Sequence, residues 1–121
     1  MAKSFTKPNE SNKKGTRLTS EERNEVPFSI CFSYKLENHY TFEGMEKSHL
    51  KSLQSFLNTY VGKPIRLVDK QKLRKSDKHD IYAGLDVQHY EVAGPFRIHG
   101  VYKEHVFHVI RIDTNHNYHK S

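Results

Sequence analysis

Residues 95–119 read P-F-R-I-H-G-V-Y-K-E-H-V-F-H-V-I-R-I-D-T-N-H-N-Y-H. Apolar and polar residues alternate through most of this stretch, the period of a β-strand with one covered face. The polar run Tyr102-Lys103-Glu104-His105 folds the stretch into a hairpin with Lys103 and Glu104 at the tip. In that register Val101 faces Val106, His99 faces His108 and Arg97 faces Ile110. One face carries Phe96, Ile98, Phe107 and Val109 and belongs to a core. The other gathers Arg97, His99 and His108 beside Ile110 and Ile112, while Arg111 falls on the apolar side. A three-residue turn would shift the register and break that cluster.

A hairpin needs a cover for its apolar face. Phe28, Ile30, Phe32 and Tyr34 alternate with Ser29, Cys31, Ser33 and Lys35, which predicts another strand with one buried face. Met45, Leu50, Leu53, Phe56, Leu57, Tyr60 and Val61 recur at three- and four-residue spacings, so a helix presents them on one side. Gly62 ends that helix and Pro64 follows. The expected fold is α+β: a small antiparallel sheet packed against one or two helices.

The chain of 121 residues is long enough for one such core and too short for two. Residues 1–25 have few large apolar groups and are rich in Lys, Ser, Asn and Glu, so they are read as a flexible basic arm, with a helical turn open to Leu18-Thr19-Ser20-Glu21-Glu22. Residues 26–121 form the single domain. Residues 79–94 fit a short strand with turns as well as a loop, with Gly84 and Gly94 as punctuation.

The net charge of +6 and the isoelectric point near 9.4 predict attraction to polyanions. Nucleic acid stands ahead of a membrane surface, because no amphipathic basic helix or lipidation signal is visible. Residues 63–78 concentrate the charge, with seven Lys or Arg against Asp69 and Asp77. Lys63, Arg66, Lys70, Lys72, Arg74, Lys75 and Lys78, joined by Arg111, are the candidate phosphate contacts. A solvated charge run accounts for the same composition. Cys31 is the only cysteine, which excludes an internal disulfide. With no apolar run for a signal peptide or membrane span, the expected location is the cytoplasm.

Cleaving RNA by transesterification needs a base for the 2′-hydroxyl proton, an acid for the leaving oxygen and cations for the charge that builds on phosphorus. Arg97, His99, His108, His116 and Tyr118 offer those groups without a metal or other cofactor and are the candidate catalytic residues. The pairs His105/His108 and His116/His119 tempt a metal reading, yet residues three apart on a strand point to opposite faces. Asp113 with Thr114-Asn115 reads as a turn closing the strand. No phosphate loop, dinucleotide fingerprint, Ser–His–Asp or Cys–His spacing is present.

The order of a helix, a basic middle, R-I-H-G at 97–100, V-F-H-V-I-R-I-D at 106–113 and N-H-N-Y at 115–118 resembles the RelE/ParE-like toxin superfamily. The likeness is to its mRNA-interferase branch, found in toxin–antitoxin modules on mobile elements. It covers residues 26–119 in order of elements and the last 25 or so in motif. It implies a concave basic sheet face that binds RNA, free or ribosome-associated endoribonuclease action, and an acidic antitoxin partner. By position, Arg97 would steady the phosphate and His116 or Tyr118 would handle a proton. The alternative is a non-catalytic phage or mobile-element module that lays a basic face on nucleic acid or a host protein.

Overall fold

The computed structural model describes residues 20–75, 79–116 and 118. Helix α1 (Ser20–Glu25) leads into β1 (Ile30–Cys31); a 3₁₀ turn at Phe42–Gly44 precedes α2 (Lys47–Tyr60) and α3 (Ile65–Lys72). The strands β2 (Leu73–Arg74), β3 (Ile81–Tyr82), β4 (Leu85–Ala93), β5 (Phe96–Lys103) and β6 (Val106–Asp113) follow. The sheet order is β1-β6-β5-β4-β2, with β3 also paired to β4. All neighbours are antiparallel except β1 and β6, which run parallel. The class is α+β, as the alternation and the helical stripe predict.

Helix α2 starts where Glu46 and His49 cap each other, the Glu46 N–H donating to His49 Nδ1 at 2.9 Å. It stops where Gly62 takes φ +89°. Its Phe56 and Tyr60, with Ile65 and Val68 of α3, cover one face of the sheet. Phe28 sits in the middle with no exposure, its ring edge-on to Phe56 at 6.2 Å and to Tyr90 at 5.5 Å. Its backbone is locked as well: its N–H donates to Lys63 O and its carbonyl accepts from Gly62 N.

Three expectations change. The strand read over 28–34 shrinks to Ile30–Cys31, because only these residues pair with β6, opposite Phe107 and His108. Beyond Cys31 the chain leaves the sheet edge and Phe32 is 53% exposed. The ambiguous 79–94 segment contains β4, the longest strand, preceded by the β3 hairpin. The terminal hairpin turns on Glu104 and His105, both with positive φ (54° and 66°), instead of Lys103 and Glu104. That two-residue turn matches the strand twist. It sets Lys103 opposite Val106 and Val101 opposite His108, so His99 and His108 do not face each other.

One irregularity positions the polar face. Gly100 pairs with Val109 and His99 with Arg111, leaving Ile110 as an extra residue in β6. A bulge reverses which side the following residues take. Arg111 and Asp113 therefore join His99 on the face away from the helices, opposite His99 and Arg97 respectively. The pairing also requires glycine at 100: a Cβ there would stand 2.5 Å from His108 O and 2.7 Å from the Phe107 ring.

On the helix side the apolar cover is incomplete. A groove of about 320 Å³ opens between Leu53 and Leu57 of α2, with Val61 just beyond its end, and the β1 edge, floored by Ile98, Val109 and Ile112. Leu50 and Val61, counted with the core stripe from their spacing, are exposed.

Candidate functional site

Arg111 is the centre of the outer face. The Ile110 bulge in β6 turns it to this face, and Glu37 ahead of α2, Asp80 ahead of β3 and Tyr118 after β6 close over it. Its Nε donates to Glu37 Oε1 at 2.6 Å, and Nη1 and Nη2 donate to the two oxygens of Asp80 at 2.8 and 3.2 Å. Nη1 also donates to His99 Nδ1 at 3.2 Å. The Tyr118 ring lies over the guanidinium at 3.6 Å. Arg111 is 1% exposed. Burial alone would weaken its hold on the proton, but the carboxylates of Asp80 and Glu37 more than offset this and its pKa rises. Burial raises the Tyr118 pKa too, opposed by the Arg111 charge.

The histidines are fixed by these bonds. A guanidinium can only donate, so His99 Nδ1 carries a lone pair and its proton sits on Nε2, which points toward Asp113 Oδ2 at 3.9 Å. His89 of β4 lies flat on His99, with ring centres 3.9 Å apart and planes 10° from parallel. Its Nε2 is 3.1 Å from Asp80 Oδ2. Asp113 accepts the backbone N–H of Tyr118 at 2.9 Å, and the ring of Tyr40 meets that of Tyr118 edge-on. Two backbone bonds pin the cover to β6: Glu37 N to Ile110 O and Ile112 N to Tyr40 O.

Ligand atoms of Asp80, His89 and His99 lie within 4.8 Å of one another, close enough to raise a metal. Two features of the arrangement oppose it. A metal lies in the plane of the imidazole that binds it, and two parallel rings 3.9 Å apart do not aim at one point. The Arg111 Nη1 already stands between Asp80 Oδ2 and His99 Nδ1. The guanidinium is the cation of this site.

A second constellation lies farther along β6. His108 Nδ1 faces Cys31 Sγ at 3.1 Å and Ser33 Oγ at 2.5 Å, while its Nε2 is 3.3 Å from Lys103 O. The parallel pairing of β1 with β6 brings these residues together across 77 positions, so no spacing along the chain reveals them.

The sequence-derived candidates therefore separate. His99, Arg111 and Tyr118 meet in one network, and His108 belongs to the Cys31 constellation. Arg97 bonds Gly94 O and comes within 3.9 Å of Glu91 at the β4–β5 turn. His116 is exposed, with φ +56°. Arg111, placed among the phosphate contacts, is enclosed by its own carboxylates and cannot reach a ligand backbone. Of the basic segment, Arg66 pairs with Glu25 at 2.6 Å and Arg74 with Glu91 at 2.8 Å. For Glu91 burial acts upward, but Arg74 wins and the carboxyl pKa is lowered. Lys63, Lys70 and Lys75 are exposed and Lys72 is half-buried. None of these four lysines forms an ion pair among the described residues. Lys78 and His119 lie outside the described residues.

Sequence reasoning missed Glu37, Asp80 and His89. The only trace of His89 is its place in the alternation Val87, His89, Glu91, on the same side of β4. Glu37 and Asp80 come from segments 74 and 31 residues from Arg111 and carry no local signal. No family model, curated protein or solved structure matches the chain.

Proposed function

We propose that the chain is a non-catalytic nucleic-acid-binding protein whose contact surface runs from Lys63, ahead of α3, to Lys75, just past β2. The observation that carries this reading is the group Lys63, Lys70 and Lys75, exposed and without ion-pair partners among the described residues. Arg23, Arg66, Arg74 and Arg111 are each paired with a carboxylate, and the exposed Lys35, Lys47, Lys51 and Lys103 are spread along the chain, so the attraction to phosphate is strongest where Lys63, Lys70 and Lys75 cluster. His99 is fully buried and its Nδ1 is taken by Arg111, so it is poorly placed to take a proton from a ribose.

The test is fluorescence anisotropy of labelled single-stranded RNA and duplex DNA across a salt series. Log affinity should fall linearly with log salt, and Lys70→Glu with Lys75→Glu should remove about 0.7 to 0.9 of slope per lost phosphate contact. No binding at low salt, or an unchanged slope in the double variant, overturns the reading. The toxin-like endoribonuclease is the second reading, favoured by exposed His116 two positions before Tyr118, whose ring covers Arg111. RNA shortened by the wild type and spared by His116→Ala and Tyr118→Phe would put that reading first.

A further inference from the structure

We propose that the stacked His89–His99 pair is an acid-sensitive latch that holds the segment around Glu37–Tyr40 and the turn at Tyr118 over the outer face of the sheet. Among the described residues the groups facing the pair are Asp80 ahead of β3, Arg111 and Asp113 on β6, Tyr118, whose ring meets His99 edge-on at 5.8 Å, and, through Arg111, Glu37, with Tyr40 against Tyr118.

The two imidazoles are not equivalent. His89 presents Nε2 to Asp80, so an added proton on His89 places its charge beside a carboxylate. The ring below it, neutral His99, accepts such a cation on its face. His99 has no such freedom. Its Nδ1 receives Arg111 Nη1 at 3.2 Å, and a proton there sets N–H against N–H and cation against cation. The ring is fully buried and stacked, so it relieves that clash only if Arg111 withdraws. The pair thus takes one proton with the network intact and a second only by breaking it.

Arg111 is also what ties the cover down. Its withdrawal removes the Nε bond to Glu37 and the guanidinium under the Tyr118 ring. Glu37 N to Ile110 O, Ile112 N to Tyr40 O and the Tyr118 N–H to Asp113 remain, without the ion pair that clamps them. Near neutral pH the latch is closed; it opens on acidification below the ordinary histidine range, once His99 takes the second proton.

The experiment is amide exchange of the whole chain followed by NMR at about pH 7.5 and about pH 5, corrected for intrinsic rates. Glu37 and Ile112 should lose protection roughly tenfold on acidification, while core amides such as Ile98 keep theirs. His99→Gln supplies a carbonyl that still accepts from Arg111 but takes no proton, so the loss should disappear; His116→Ala should leave it unchanged. Equal protection of Glu37 and Ile112 at both pH values overturns the latch, as does a response that persists in His99→Gln. Should His99→Gln fail to fold, imidazole nitrogen shifts of the wild type decide. His99 Nδ1 must gain its proton in the pH range where the Arg111 Nε–H signal is lost, and protonation with that signal retained overturns the proposal.

Discussion

Arg111 and Asp80 form a two-pronged ion pair, Nη1 to Oδ2 at 2.8 Å and Nη2 to Oδ1 at 3.2 Å, between side chains 2% and 7% exposed. Such a pair is worth less than the damage done by breaking it, because each half alone is a buried uncompensated charge. Asp80→Asn is expected to lower stability by about 3 to 5 kcal/mol. Arg111→Met combined with Asp80→Leu should do less harm than the sum of the two single changes. Urea unfolding of Asp80→Asn and of the wild type, Arg111→Met, Asp80→Leu and their double variant measures this, and additive effects in the double variant would show that the two charges do not act as a pair.

Gly100→Ala is expected to destabilise by about 1 to 3 kcal/mol, since the added methyl meets a backbone carbonyl that cannot step aside. Gly44→Ala, where a Cβ meets nothing within 4 Å, should be neutral or slightly stabilising. Thermal melts of both variants check the contrast.

The alkaline limb of the stability curve should be steep. Burial, then the neighbouring Tyr102 and the hydrogen bond to Asp69, push the Tyr90 pKa far up. Burial does the same for Tyr102, with Tyr90's hydrogen bond opposing. The unfolded chain releases these protons near pH 10 while the folded chain holds them, so the folded state binds more protons there. Stability is complete below about pH 10 and falls above it by about 1.4 kcal/mol per pH unit per tyrosine. Tyr90→Phe should flatten that fall in denaturant titrations at rising pH.

Phe28 and Phe32 test the apolar alternation directly. Truncating buried Phe28 to Ala should cost about 3 to 5 kcal/mol, whereas Phe32→Ala, half exposed, should stay within about 1 kcal/mol. Equal effects would mean that β1 is longer in solution than Ile30–Cys31.

From sequence these two phenylalanines look alike, since a period of two records which side a residue takes but not where pairing ends. Helix α2 was legible for the opposite reason: fourteen residues of repeated spacing, with Gly62 as a stop, overdetermine it. The terminal hairpin was legible as a hairpin but not in register. Neither Glu104 nor His105 announces a turn with positive φ, and nothing at Ile110 announces a bulge. That single extra residue explains why Arg111 reads as apolar-side yet faces His99. Strand β4 was hidden because His89 and Glu91 are polar yet buried or partly so on the outer face, which composition reads as loop. The site was legible only in its hairpin half, because its carboxylates Asp80 and Glu37 arrive from segments distant along the chain.

The parallel pairing of β1 with β6 bears on how the chain is made. Phe107 donates its N–H to Ser29 O, and Phe28 rests against the Phe107 ring at 6.1 Å. During vectorial synthesis the N-terminal half must wait for β6 to leave the ribosome before the Phe28 ring meets Phe107. A chain that stops short of β6 would leave Phe28 and the β5 edge uncovered, a sticky product that proteases can recognise, so completion of this core depends on β6.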